Sequence, residues 1–441
     1  MRRSYHAAPA GAPVNPLAAA DVLAPCQAFG YGVHPVKRAL LPIFLIVLVD
    51  VLGLTIILPL LPFYAERMGA TPFQAGLLTS VYAACQLVSG PLLGRLSDTT
   101  GRKPLLLVSQ AGTLVGFLVL ARAETLWVVF VSRVIDGATA GNLSLAQAYI
   151  ADVTEPKDRA KSFALIGIAF GLGFLVGPAI SGWLAHYGYH YPIYLAAALS
   201  ATSIACTAFL LPSSAPHQDG PPAEGAAPPP SGRRLSVFDW SSYTVYFGQP
   251  ALARLLLQFF LFTFAFAAFT SGFGLFAERR LTWDGHPFGA REVGLIFAYS
   301  GFLGIILQGG LIGRLVRRFG EHRLLAAGFA AACLGYVLLG ATFAVPTLLA
   351  AATVSAFGNG VLRPALTSLI TQHVSRSEQG TVLGLTQSLL SVAQITAPAI
   401  GGLLITDGLL WGWALGAAVV AASGLLLTRG QTESKAAASA S

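Results

Sequence analysis

Twelve stretches of mostly apolar residues recur along the chain, at approximately 40–63, 73–94, 104–122, 125–151, 160–185, 190–211, 249–275, 291–313, 323–342, 345–371, 379–406 and 409–428. A helix of about 20 such residues crosses the hydrocarbon core of a bilayer. Helices also satisfy their own backbone N–H and C=O groups there, where no water is available. Of the 441 residues, 55% are hydrophobic and only 10% charged, against roughly 25% charged in a soluble domain. The chain therefore reads as an all-α membrane protein.

Three short sequences occur twice. FYAER at 63–67 returns as LFAER at 275–279, GRLSDTTG at 94–101 as GRLVRRFG at 313–320, and Gly177-Pro178 with Gly182 as Ala397-Pro398 with Gly402. Two related six-helix bundles follow, which is the plan of many secondary transporters, with a site between the halves near the midplane. The expected organisation is a disordered cytoplasmic lead (1–39), an N-terminal bundle (40–211), a cytoplasmic linker rich in Pro, Gly and Ala (212–248), a C-terminal bundle (249–428) and a cytoplasmic tail (429–441). Phe238, Trp240, Tyr243, Tyr246 and Phe247 near the end of the linker suit either a short interfacial helix or packing under the seventh span.

The net charge of +8 does not point to nucleic acid, because most Lys and Arg fall in loops on one side of the predicted membrane. Positive loops mark the cytoplasmic side, so both termini are expected there, in a plasma membrane of the bacterial inner type. The four cysteines (Cys26, Cys85, Cys206, Cys333) are too dispersed for a disulfide framework, and no His, Cys or carboxylate spacing resembles a metal site. No nucleophile–base pair or phosphate loop occurs within the spans. The expectation is a protein that is no enzyme and needs no cofactor or metal, with protons as coupling ion.

Only Asp50 and Asp136 among the carboxylates fall well inside a span. Both lie about 15–17 Å from the span ends at 1.5 Å per residue, and an acid in the membrane is a functional candidate by default. Burial drives a carboxyl toward protonation near neutral pH, as proton coupling requires. Asp50 has no polar neighbour in LIVLVDVLGLTI, so any partner comes from another helix. Arg133 lies one turn from Asp136, where the two can neutralise each other. Polar residues at plausible cavity positions are Gln86, Asn142, Gln147, Gln258, Gln308, Asn359, Gln387 and Gln394. Arg363, about 12 Å from the end of the tenth span, suits snorkelling to the interface or an anion site.

The stretch GPLLGRLSDTTGRKP at 90–104 closely resembles the loop 2–3 signature of the major facilitator superfamily, G-x-x-x-D-[RK]-x-G-[RK]-[RK], with Thr99 where a basic residue is usual. RVIDGATAG at 133–141 resembles the family's helix 4 motif. GIAFGLGFLVGPAISG at 167–182 resembles its helix 5 antiporter motif, with Ser181 in place of a glycine; together with QAYIADVT at 147–154, this is most similar to the tetracycline-efflux-like branch of the drug:proton antiporters. The resemblance implies roles for three groups. Gly94, Asp98, Gly101, Arg102, Lys103 and Asp152 would form a cytoplasmic gate that latches the halves in the outward-open state. Gly167, Gly171, Gly173, Gly177, Pro178 and Gly182 would form a tight, kinked seam. Arg133 would tune the proton affinity of Asp50 or Asp136. The implied function is proton-coupled export of small amphipathic or lipophilic compounds by alternating access, by a protein expected to work as a monomer in the lipid bilayer. The alternatives are an uptake symporter or facilitator of a small metabolite on the same fold, and a nontransporting receptor or scaffold.

Overall fold

A computed structural model describes residues 35–154, 159–212, 245–374 and 378–440. The expected lead up to residue 34 and most of the linker, including Phe238, Trp240 and Tyr243, lie outside the described residues. The first half comprises α1 (Pro35–Ile57), α2 (Leu61–Glu66), α3 (Pro72–Thr100), α4 (Arg102–Ala121), α5 (Leu126–Ala138), α6 (Asn142–Val153), α7 (Arg159–Ala185) and α8 (His190–Leu210). The second half comprises α9 (Pro250–Arg280), a minimal hairpin (Thr282–Trp283 with His286–Pro287), α10 (Ala290–Ile306), a π-helical turn (Leu307–Leu311), α11 (Ile312–Phe319), α12 (Glu321–Gly340), α13 (Val345–Gln372), α14 (Gln379–Thr406) and α15 (Leu410–Ala440). Among the described residues, 10 helices are long and apolar enough to cross a membrane, and α1 contributes a shorter apolar helix at Leu41–Ile57.

Two spans expected to be continuous are interrupted. The first stops at Ile57 because Pro59 and Pro62 follow, and proline cannot donate to the preceding turn; Pro62 instead opens α2. The fourth divides into α5 and α6 at Thr139–Gly141. Ser109 of α4 helps repair this break, donating to the Thr139 carbonyl and accepting from the Gly141 N–H at 2.9 Å, so these two backbone groups are paired as the membrane interior requires. The chain beyond 428 continues α15 to Ala440, where the alanine-rich sequence favours helix. At the linker end Tyr246 is buried in the main apolar core.

The halves meet along α3 with α14 and along α7 with α10. Glycine permits both seams. A Cβ at Gly76 would strike the Pro398 carbonyl, one at Gly402 the Pro72 carbonyl, and one at Gly294 the Pro178 carbonyl; small residues let helix backbones touch in this way. The Phe73 N–H also donates across the seam to Thr406 Oγ1 at 3.0 Å. All these contacts lie toward the face remote from the Asp98 loop. Toward the Asp98 face, Gly94, Gly167, Gly313 and Gly384 have nothing within 4 Å of an added Cβ. The halves are thus closed at one face and separated by a cleft at the other, called here the basic face for Arg95, Arg102, Lys103, Arg314, Arg317 and Arg318. Around the outside, exposed Trp127, Trp183, Phe209, Leu311 and Leu426 form an apolar surface suited to lipid.

Candidate functional site

Asp50 sits near the middle of α1, which packs on α7 and α8. Its half-buried carboxylate faces a pair from two other helices, Gln110 of α4 and Ser203 of α8. Gln110 Nε2 donates to Ser203 Oγ at 2.7 Å, and Ser200 Oγ donates to the Gln110 carbonyl at 3.2 Å. Gln110 Oε1 is buried without a hydrogen-bond partner. An unsatisfied amide oxygen costs on the order of 1–3 kcal/mol; a protonated carboxyl is the donor that would satisfy it.

Beside this group lies the α5 ion pair. Arg133 Nη1 is 3.3 Å from Asp136 Oδ2, and both side chains are buried. Thr113 of α4 also reaches Asp136, and Asp136 in turn lies within electrostatic range of Asp50. The close approach of α4 to α5 requires Gly116, where a Cβ would fall 2.9 Å from that of Asp136. Arg133 Nη2 is buried and unpaired, so the guanidinium retains donors for a further acceptor. Tyr82 of α3 lies within electrostatic range of Asp50, Asp136 and Arg133, and its hydroxyl accepts from Gln86 Nε2 at 3.4 Å. With both carboxylates ionised the cluster carries one net negative charge; a single bound proton makes it neutral. Gln110, Ser203, Thr113 and Tyr82 were not singled out from the sequence. Their polarity inside apolar spans was the available signal, but only the tertiary fold turns them to Asp50 and Asp136.

The gate-motif residues gather on the basic face. Arg102 binds Asp98 at 2.6 Å and Asp152 at 2.8 Å, and donates to Ser97 Oγ at 2.6 Å. Gly101 turns the chain from α3 into α4 at φ 94°, a conformation that favours glycine. Lys103 Nζ donates to the carbonyls of Ala208 and Leu211 at 2.8 and 2.7 Å, placing a cation on the carbonyl end of α8. Thr99 Oγ1 donates to the Leu96 carbonyl of its own helix, at 3.0 Å. These bonds tie α3, α4, α6 and α8 together within one half, and Gly94 stands open to the cleft.

The helix 5 glycines divide between two partners. Gly173 and Gly177 admit Val51 and Thr55 of α1, and Thr55 Oγ1 donates to the Gly173 carbonyl at 2.9 Å. Gly171 and Gly182 face Ile305 and Arg291 of the other half, while Gly167 is open. Pro178 lies within α7 and leaves the Phe174 carbonyl without its helical donor. Among the polar cavity candidates, Gln147, Gln308 and Gln387 are exposed, and Gln86, Asn142, Asn359 and Gln394 half-buried. Polar groups exposed within spans are costly in lipid and belong on a water-filled cleft. Asn359 accepts from Tyr336 at 3.2 Å. Gln258 departs from expectation: it is fully buried and donates to the Gly424 carbonyl at 3.2 Å, so it joins α9 to α15 rather than lining open space.

On the closed face, Glu66 of α2 meets Arg279 of α9 at 2.5 Å, and Glu278 lies 3.5 Å from the same guanidinium. Both belong to the FYAER repeat, which the sequence marked as a duplication without a role. The guanidinium of Arg67 lies over the Tyr189 ring at 3.9 Å.

Two six-helix bundles with a polar intramembrane cluster and a one-sided cleft define a membrane transporter. The chain belongs to the Major Facilitator Superfamily, whose family model matches residues 43–339 and 288–441. It is 32% identical over 371 residues to the class C tetracycline resistance protein of Escherichia coli, covering 82% of this chain and 89% of that protein. It is 27% identical over 371 residues to multidrug resistance protein 2 of Bacillus subtilis (strain 168), covering 82% and 88%. Among solved structures, the human organic anion transporter MFSD10 (TETRAN) superposes with TM-score 0.66 at 24% identity, covering 89% of this chain and 99% of that one. The nucleoside transporter NupG gives TM-score 0.72 at 15% identity, with the same coverage; both likenesses concern the fold.

Proposed function

We propose that this transporter exports small amphipathic or lipophilic compounds in exchange for protons, by alternating access, in a membrane of the bacterial inner type with both termini in the cytoplasm. The observation that carries the reading is Asp50 set against Gln110 and Ser203, beside the Arg133–Asp136 pair. Similarity to tetracycline and multidrug resistance proteins supports the direction of transport and the class of cargo. On this orientation the basic face is cytoplasmic, and the structure corresponds to the inward-open state.

In the cycle, Asp50 takes a proton when the opposite face is open, which neutralises the cluster and gives Gln110 Oε1 a donor. Cytoplasmic substrate enters the cleft and the proton leaves to the cytoplasm. The halves then rock about the α3–α14 and α7–α10 seams. On closure of the basic face, the Arg102 cluster comes within reach of the second half and serves as the latch. No cofactor takes part, and the chain acts as a monomer. Uptake of a labelled tetracycline into inverted vesicles, driven by an imposed pH gradient, tests the reading. Asp50→Asn should abolish it, and wild-type transport by that variant would overturn the assignment of Asp50.

A further inference from the structure

Arg363 of α13 is exposed, with no ion-pair or hydrogen-bond partner for its guanidinium among the described residues. Side chains on a helix lean toward its N-terminus, which for α13 means inward from the basic face. The guanidinium accordingly lies 5.9 Å from the ring of Phe170, across the cleft on α7 of the other half. Phe170 is five residues past Leu165, where the apolar span of α7 begins, about 8 Å inside at 1.5 Å per residue. The side chain has therefore not snorkelled to the interface; it holds a positive charge inside the cleft.

The surroundings are built for a ligand rather than for packing. The π-helical turn Leu307–Leu311 lies beside α13, where a Cβ at Gly360 would meet Leu307 Cδ2 at 2.7 Å. Such π-bulges are frequent at functional sites. This one carries exposed Gln308 next to Gly309 and Gly310, and neither glycine has a neighbour within 4 Å of an added Cβ. No carboxylate lies deep in the second half to neutralise Arg363, and the Asp50 cluster belongs to the first half. A guanidinium offers five donors in a planar fork that matches a carboxylate or sulfonate.

We propose that Arg363 is the recognition site for a small organic anion, a carboxylate or sulfonate on an aromatic body that packs against Phe170. This rests on the transporter reading above and specifies its cargo, placing the substrate's charge on the half opposite to the proton.

The test is equilibrium binding of radiolabelled 1-naphthoate and 2-naphthalenesulfonate to the purified full chain in phosphatidylcholine nanodiscs, with tetraphenylphosphonium as a cation of apolar body. Wild type should bind the two anions, and Arg363→Gln should weaken both by about 10- to 100-fold, the loss expected for a charged hydrogen bond. Arg363→Lys, which keeps the charge but not the planar fork, should recover part of the affinity lost in Arg363→Gln, which separates lost charge from a damaged fold, and tetraphenylphosphonium should not bind more weakly to either variant. Absence of anion binding by wild type, equal binding by Arg363→Gln, or equal weakening of all three probes would overturn the proposal. A second arm uses discs containing phosphatidylglycerol. Unchanged naphthoate affinity is expected there; suppression in wild type but not in Arg363→Gln would assign the site to a lipid headgroup and overturn the soluble anion. Binding at fixed pH needs no proton exchange, so anion binding without coupled transport would defeat the exporter reading and leave this one standing.

Discussion

Removing the Glu66 carboxylate should shift the balance between the two ends of the transport cycle. Glu66–Arg279 is the ion pair that joins the halves at the closed face, with a separation of 2.5 Å and side-chain exposures of 18% and 33%. A pair this accessible is worth about 1 kcal/mol or less after solvent screening. Glu278, 3.5 Å from the same guanidinium, sits beside Arg279 on α9 and so does not replace the lost bridge between the halves. Glu66→Gln should therefore raise the population open at that face by up to about fivefold, while the backbone contacts at Gly76 and Gly402 continue to hold the seams. Spin labels at Glu124 and His286, exposed positions on that face in opposite halves, would report the populations by pulsed dipolar spectroscopy in nanodiscs. The reversed pair Glu66→Arg with Arg279→Glu should bring the distribution back toward wild type. An unchanged distribution in Glu66→Gln, or no recovery on reversal, would refute the assignment of this pair as a gate.

Gly76→Ala should oppose the closed face more strongly, because its Cβ would overlap the Pro398 carbonyl and backbone cannot yield as a side chain does; the same spin labels should show a shift to the open distance, with transport reduced at least tenfold. Arg102→Ala leaves Asp98 and Asp152 facing each other without their shared cation; transport should fall severalfold while equilibrium substrate binding to the inward-open form stays within about twofold. Gln110→Ala removes the amide that faces Asp50 and should move the pH midpoint of transport, whereas Gln258→Ala, whose partner is the Gly424 carbonyl, should lower thermal stability by about 1 kcal/mol and leave that midpoint in place.

Much of the architecture is legible in the sequence because the bilayer imposes long apolar helices, and the internal repeats give the two halves. The breaks in the first and fourth spans are harder to read. Pro59 and Pro62 announce the first, but at the gap Thr139–Gly141 part of the hydrogen bonding comes from Ser109 and Ser89 on other helices, which the local sequence does not show. The site divides in the same way. Asp50, Arg133 and Asp136 stand out as charges where charges are costly, whereas Gln110 and Ser203 acquire meaning only through helix packing. Gln258 resembles them in sequence but turns to α15, since one span presents polar groups to a cleft or to a neighbour according to a rotation that hydropathy does not encode. Arg363 illustrates the limit: its depth is readable, but its direction toward Phe170 is a property of the folded cleft.

The central claim is that Asp50 carries the coupled proton, and substrate-induced proton release measures it directly. Purified transporter in weakly buffered nanodiscs, equilibrated at a pH where Asp50 is protonated, should release protons when saturating substrate is added, and Asp50→Asn should release none while still binding substrate. Proton release of wild-type size from Asp50→Asn would contradict the account.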